Sequence, residues 1–482
     1  MASDLFAALP LLAMAATAMV VLSLVAWRRH LLVAAVVTLL GHGAAFASLA
    51  VAATVIPRQL TALLIVDGYG LFYMALLLAA SFVVSVLAYG YLKGRPDTVE
   101  EFYILQVLAT LGALVLVVSQ HFVSLFLGLE LLSVALYALI AYLRTDDRPL
   151  EAGIKYLLLA GASSAFLLFG MALLYAELGT MAFDRMAQLL AIGENVRRLF
   201  VVMGLAMTIT GIGFKLAVVP FHMWTPDVYE AAPAPVTAFV ATVSKGALVA
   251  LLLRYFAQSG AYPYASLMLA FGLIAGASMV VGNLLALLQS NVKRILAYSS
   301  VAHLGYVLVA FVASNSQGVE AVTFYLIAYT VTTLGAFGVV SVLSEKERDA
   351  ESLEAYRGLF WRRPGLAMIF TATLVSLAGI PLTAGFIGKV FVLLAAIQSA
   401  LWPLVILLVL TSALGLVYYL RIVVAMYAAL PQTEAARNPR PVPSLSLAGS
   451  IILVTLTIGL VWLGIYPAPI IHAIRLTVAS LL

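Results

Sequence analysis

The sequence contains no cysteine and little charge, with 26 Lys and Arg and 21 Asp and Glu among 482 residues. The missing thiols exclude disulfides, thiolate metal sites, cysteine-bound iron-sulfur clusters and cysteine nucleophiles. Any redox chemistry nearby therefore belongs to another chain. Charged residues make up 10% of the sequence and hydrophobic ones 64%, where a soluble domain carries roughly a quarter charged. A soluble fold must clothe its outside in polar groups, and this composition does not supply them. Lipid is the solvent it calls for. The net charge of +5 is no sign of nucleic acid, because the basic residues stand in pairs between apolar runs, the pattern of membrane orientation. Also missing are a Gly-rich phosphate loop, HExxH, clustered His and carboxylate metal ligands, and a Ser-His-Asp set. The chain reads as a conductor without a catalytic centre, metal or cofactor of its own.

What the sequence does have is a series of apolar runs of about 20 residues, the length that crosses a hydrocarbon core about 30 Å thick. They centre near residues 18, 43, 80, 110, 132, 165, 210, 245, 276, 304, 331, 382, 414 and 455. This predicts an all-α polytopic membrane protein of about fourteen spans. The first run has its positive charges, Arg28 and Arg29, after it and none before, so it reads as a retained span and not as a signal peptide.

With the N-terminus outside, 15 of the 26 Lys and Arg fall in inner loops, 6 in outer loops and 5 within or at the edges of spans. The inner set includes the pairs Lys293–Arg294 and Arg362–Arg363, read as surface anchors; the outer set includes Arg254. Both termini are then expected on the periplasmic side. Arg421 reads as structural, at the cytoplasmic end of span 13. The stretches SEKERDAESLEAYRGLFWRRP and PQTEAARNPRPVPS are too short for a soluble domain, and the tail after Tyr466 is expected at the interface.

The five residues at or in spans are Lys155, Lys215, Lys245, Lys389 and Arg421, and the one carboxylate near a span centre is Glu130. A charge at the bilayer centre costs about 2.5–3.5 kcal/mol on insertion scales, so such residues face the bundle interior and mark ion routes or proton relays. The plainer alternatives are a buried ion pair that holds helices together, or lysines that snorkel to the interface. Snorkelling suits Lys155, which follows Glu151 at i+4 near a span end, as well as a functional role does. Lys215, Lys245 and Lys389 each lie about a dozen residues from a span end, roughly 18 Å at 1.5 Å per residue, which favours function. If Glu130 moved from about 4 to about 10 Å from a lysine at an effective dielectric of 20, the energy would change by about 2.5 kcal/mol. Moving one charge through 100 mV costs about 2.3 kcal/mol, so one such pair is the right size to load and release a proton.

Pro220 follows Lys215 by five residues and Pro381 precedes Lys389 by eight, which predicts broken helices at spans 7 and 12, with freed backbone groups lining a cavity. Lys215 and Lys389 lie five spans apart with opposite polarity. That suggests two inverted five-helix repeats, spans 4–8 and 9–13. The chain then divides into residues 1–99 (spans 1–3), 100–258 (first repeat), 259–430 (second repeat) and 431–482 (span 14 and tail). His303, midway along span 10, could relay protons between the halves, and His222 is a weaker candidate.

The segments GLELLSVALYALIAYLR, EAGIKYLLLAGASSAFLLFGMALLYAELG, GFKLAVVPFHMWTPDVYEAAPAPV, NVKRILAYSSVAHLGY and SLAGIPLTAGFIGK closely resemble the antiporter-like subunits of bacterial complex I, the N type in particular. The resemblance covers about residues 100–430. It implies a fourteen-helix subunit in the membrane arm of a proton-pumping NADH:quinone oxidoreductase of the bacterial inner membrane. Glu130 and Lys215 would be its fifth- and seventh-span pair, Lys245 its connecting lysine, Lys389 its exit lysine, and Lys155 a bridge toward the neighbouring half-channel. It places flavin, iron-sulfur clusters and quinone site in other subunits, and implies as partners small membrane subunits and another antiporter-like subunit. Two alternatives stay open. One is a sodium-moving antiporter or membrane-hydrogenase subunit, disfavoured by one central carboxylate against several lysines. The other is an inert scaffold whose buried ion pairs specify packing.

Overall fold

In lipid a backbone must satisfy its own hydrogen bonds, so long apolar runs fold as helices. The computed structural model describes residues 2–95, 99–143, 147–192, 198–259, 265–346, 349–429 and 446–481. Among the basic loop residues, Arg144, Arg197, Arg348, Arg437, Arg440 and the side chain of Arg198 lie outside the described residues.

The chain begins with α1 (Ala2–Trp27) and α2 (Leu31–Ala52), followed by an antiparallel hairpin of β1 (Arg58–Gln59) and β2 (Ile65–Val66) in which Arg58 faces Val66. Next come α3 (Gly68–Leu92), α4 (Glu101–Val117), α5 (Phe122–Ile140), α6 (Asp147–Leu178), the short α7 (Phe183–Ile192) and α8 (Arg198–Leu216). The middle of the chain holds α9 (Trp224–Ala231), α10 (Ala234–Phe239), a π-helical turn (Val240–Ser244), α11 (Lys245–Ser259), α12 (Ala265–Leu287), α13 (Val292–Val312) and α14 (Ser316–Leu343). The last part comprises α15 (Leu353–Tyr356), α16 (Leu359–Arg362), α17 (Pro364–Ala378), α18 (Ala384–Gln398), α19 (Trp402–Tyr427), α20 (Leu447–Ile465) and α21 (Ala468–Ala479).

Among the described residues, twelve helices are long and apolar enough to cross a membrane, with α10, the π turn and α11 counted as one. The shorter α4 and the α17–α18 pair supply the other two of the fourteen expected spans. The two expected breaks are present. Residues 217–223 separate α8 from α9 in span 7, and residues 379–383 separate α17 from α18 in span 12. A hydroxyl from span 9 repairs part of the first break, with Val219 N donating to Ser278 Oγ at 2.9 Å.

Span 8 and α13 form the wholly buried centre. The peripheral helices α1, α2, α12, α19 and α20 turn leucines, valines and isoleucines outward, as a lipid-facing surface requires. Glycine allows close crossings in the first repeat: a Cβ on Gly112 of α4 would lie 2.6 Å from Leu132 N of α5. Loop and helix ends then define two faces. The hairpin, Ser119 and α7 share one, where Leu64 bridges Ser119. The basic loops share the other, where Asn291 bridges Ser352. The tail forms α21, which buries Ile474, Thr477 and Val478 against the bundle.

Two basic residues sit elsewhere than expected. Arg254 is no loop residue: it lies on α11, fully buried, because Asp67 supplies a carboxylate inside the fold. Lys293 is no surface anchor either, since its fully buried ammonium is 2.7 Å from Asp349.

Candidate functional site

Span 5 puts Glu130 and Ser133 three residues apart, hence on one helix face. Half-buried Glu130 accepts a hydrogen bond from Ser164 Oγ of α6 at 2.7 Å. Lys215, in the last turn of α8, is buried and donates to Ser133 Oγ at 2.7 Å. Its ammonium also lies 5.9 Å from the ring centres of Tyr137 and Tyr156. The sequence suggested a Glu130–Lys215 pair, and the structure brings both to one face of α5, each on its own serine.

Lys245 opens α11 directly after the π turn. A π turn inserts an extra residue into a helix and re-aims the side chain that follows. Here the buried ammonium reaches Ser300 Oγ of α13 at 2.7 Å and lies 5.4 Å from the Tyr229 ring. Ser300 Oγ is in turn 2.6 Å from the Tyr329 hydroxyl of α14.

One turn along α13 the line continues at His303, whose Nδ1 is 2.6 Å from the Tyr325 hydroxyl and whose Nε2 is 3.1 Å from the Tyr419 hydroxyl. Tyr419 also bonds Ser299 Oγ. The Tyr329 ring centre is 5.4 Å from that of His303, which links the Lys245 and His303 clusters.

Lys389 of α18 completes the line. It donates to Ser412 Oγ at 2.7 Å and, across the break in its own span, to Ala378 O at 2.8 Å and Leu377 O at 3.1 Å. Its ammonium is 5.3 Å from the Tyr306 ring, whose hydroxyl accepts from Asn283 Nδ2 at 3.1 Å. Gly379 makes this bend possible: it has φ of 83°, and a Cβ there would sit 2.7 Å from Lys389 Cδ.

Lys155 lies apart from this line. Its side chain is half-exposed and pairs with Glu151 at 2.7 Å and with Asp227 of α9 at 3.5 Å. Asp227 and Glu230 hold Arg294 at 3.1 and 2.6 Å, so Lys155 ends a charged chain on the basic-loop face. His222, in the break of span 7, is buried and its Nδ1 has no hydrogen-bond partner.

Sequence reasoning found the charged members and missed the hydroxyls: Ser133, Ser164, Tyr229, Ser300, Tyr325, Tyr329, Ser412 and Tyr419. One signal was available. In YSSVAHLGY, Ser299, Ser300 and His303 recur at helical spacing and so share a face.

Residues 119–415 match the membrane family described as NADH:quinone oxidoreductase/Mrp antiporter, TM. The chain is 49% identical over 481 residues to an Ectopseudomonas mendocina protein, covering 98% of this chain and 96% of that one, and that protein is named NADH-quinone oxidoreductase subunit N. A Nitrosospira multiformis protein of the same name is 52% identical over 485 residues, with the same coverage. The chain belongs to this subunit N family.

Among solved structures, a chain of respiratory complex I from Thermus thermophilus with bound aureothin superposes with a TM-score of 0.82 at 32% identity, covering 96% of this chain and 99% of that one. A chain of the membrane-bound sulfane sulfur reductase, an archaeal respiratory membrane complex, gives 0.83 at 26% identity with full coverage of both. A chain of the Mrp complex from Dietzia gives 0.86 at 19% identity, covering 99% and 97%, a likeness of fold. The chain is thus a multi-pass membrane protein of a family whose members are subunits of an enzyme complex, and its structural neighbours sit in multi-subunit assemblies.

Proposed function

We propose that this chain is a proton-conducting membrane-arm subunit of a proton-translocating NADH:quinone oxidoreductase in a bacterial inner membrane, with both termini on the periplasmic side. One observation carries the reading. Lys215, Lys245 and Lys389 are buried, and the hydrogen-bond partners of their ammonium groups are neutral oxygens: Ser133, Ser300, and Ser412 with two backbone carbonyls. A lysine so held can give up its proton without leaving a buried carboxylate unpaired. The buried cations outside this set are held differently, since Arg254 pairs with Asp67 and Lys293 with Asp349.

Protons enter in the first repeat near Lys215, pass Lys245, Ser300 and Tyr329 to His303, and leave from Lys389. His303 with Tyr325 and Tyr419 can hold or hand on a proton at either ring nitrogen. Glu130 on Ser164 is the separated arrangement of the Glu130–Lys215 pair, and its approach to Lys215 would raise the lysine's hold on its proton. Flavin, iron-sulfur clusters and the quinone site lie in partner subunits, among them another antiporter-like subunit and small membrane subunits. Lys155, on the surface of α6, faces such a neighbour.

The test is NADH-driven proton pumping by the assembled complex carrying Lys215→Ala. Pumping should fall severely, and quinone reduction with it because the two are coupled. Unchanged pumping would favour a scaffold.

A further inference from the structure

Two arginines stand outside the relay, and they occupy matching places. Arg254 follows Lys245 by nine residues on span 8, and Arg421 follows Ser412, the hydroxyl partner of Lys389, by nine on span 13. Each reaches the last helical carbonyl of the helix that opens its own five-span unit. Arg254 Nε donates to Val117 O, at the end of α4, at 2.9 Å. Arg421 Nη1 donates to Leu287 O, at the end of α12, at 3.2 Å, and its Nη2 donates to Gln289 O. The end of α4 lies on the hairpin face and the end of α12 on the basic-loop face. The two arginines therefore stand at opposite faces of the membrane.

We propose that Arg254 and Arg421 are a pair of seals, Arg254 closing the first unit toward the hairpin face and Arg421 closing the second toward the basic-loop face. The assignment rests on the reading of Lys215, Lys245 and Lys389 as a relay. A guanidinium keeps its proton at every accessible pH, so it cannot hand one on, and a fixed arginine at a constriction excludes protons and cations.

The surroundings of Arg254 agree. Residues 246–253, GALVALLL, are all buried and apolar, and they separate Lys245 from Arg254 by about 14 Å at 1.5 Å per residue. Past Arg254, Gln258 Oε1 is buried without a partner, a group that water can satisfy, and the side chains of Tyr255 and Ser259 add hydroxyls beside it. On the near side the Tyr69 hydroxyl meets the apolar stretch and is occupied in donating to Ala250 O at 2.7 Å. Asp67 fixes the guanidinium with two bonds of 2.8 and 2.7 Å. In the second unit the segment ALGLVYYL between Ser412 and Arg421 aims Tyr418 at Asn283 and Tyr419 at His303, so its polar groups serve the relay side.

With both seals shut, a proton loaded in the first unit reaches the hairpin face only through Lys389, and Lys389 cannot be refilled from the basic-loop face. Two similar units become one directed path.

The test is the passive proton permeability of the assembled complex in proteoliposomes, under an imposed pH gradient without NADH. Arg421→Met strands no carboxylate partner. Asp67→Asn combined with Arg254→Met removes both members of the buried pair, a replacement such pairs commonly tolerate. In each variant the gradient should collapse several-fold faster than in wild type, with NADH oxidation continuing and fewer protons delivered per NADH. Wild-type tightness of either variant would overturn the paired assignment. Failure of either to assemble would make its arginine a folding element and overturn it equally. The relay reading is judged separately by NADH-driven pumping in Lys215→Ala, so the two can fail independently.

Discussion

Lys389 reaches back across the break in its own span to Ala378, its ammonium donating to the Ala378 carbonyl at 2.8 Å. That carbonyl belongs to the last helical residue of α17, the negative end of a half-helix dipole, which favours a cation. Lys215 stands in the last turn of α8, at the C-terminal end of the first half-helix of the other broken span. Both ammonium groups are thus steadied by dipole and neutral oxygens, which hold a proton without fixing it.

Gly379→Ala tests the bend that lets Lys389 do this. The new Cβ would meet Lys389 Cδ at 2.7 Å and must also adopt φ of 83°, a conformation that costs an L-residue about 1–2 kcal/mol. The expected result is an assembled complex, slightly less heat-stable, with NADH-driven pumping markedly reduced. Full pumping would mean that the Lys389 position is not critical.

Ser133→Ala removes the hydroxyl on which Lys215 rests, and losing a hydrogen bond to a buried charge costs about 1.5–3 kcal/mol. Pumping in Ser133→Ala should fall by a large part of the loss seen in Glu130→Ala and Lys215→Ala. Ser164→Ala releases Glu130 instead, and its effect should disappear in a Glu130→Ala background. Additive effects of Ser164→Ala and Glu130→Ala would contradict the coupling.

On the basic-loop face, burial pushes the Asp349 carboxyl up, but the Lys293 ammonium at 2.7 Å and hydrogen bonds from Lys293 and Tyr91 outweigh it. The net effect holds the group below the usual carboxylate range. A depressed carboxyl stabilises the fold above its ordinary value and loses that stabilisation as pH falls through the depressed one. Asp349→Ala leaves Lys293 buried and unpaired, at a cost of about 3–5 kcal/mol. Assembly of the complex should drop sharply, and a thermal melt of what assembles should no longer respond to acid in that window.

Topology is open to cysteine labelling because the chain has no native thiol. Cysteine at Gln59, in the hairpin, should react with an impermeant reagent from the periplasm, and cysteine at Glu354 only from the cytoplasm. The reverse pattern would invert the orientation.

How far the sequence reached depended on the cost of each feature. A lysine amid apolar residues has no inexpensive explanation in lipid, so Lys215, Lys245 and Lys389 stood out, as did the breaks marked by Pro220 and Pro381. Tyr325, Tyr329 and Tyr419 carry no such cost, and only packing decides which hydroxyl meets His303. Arg254 read as a loop residue because the carboxylate that permits its burial, Asp67, lies 187 positions away. The separation of Glu130 and Lys215 onto Ser164 and Ser133 was equally beyond a reading that counted charges alone. The hairpin strands, two residues each, are too short to leave a periodic trace.

The most direct test of the relay is NADH-driven proton pumping by an assembled complex carrying Lys389→Arg. Arginine keeps the charge and nearly the length but stays protonated at every accessible pH. A residue that must release its proton cannot be replaced this way. Pumping should fall nearly as far as in Lys389→Ala while assembly is preserved. Wild-type pumping in the assembled Lys389→Arg complex would contradict the relay.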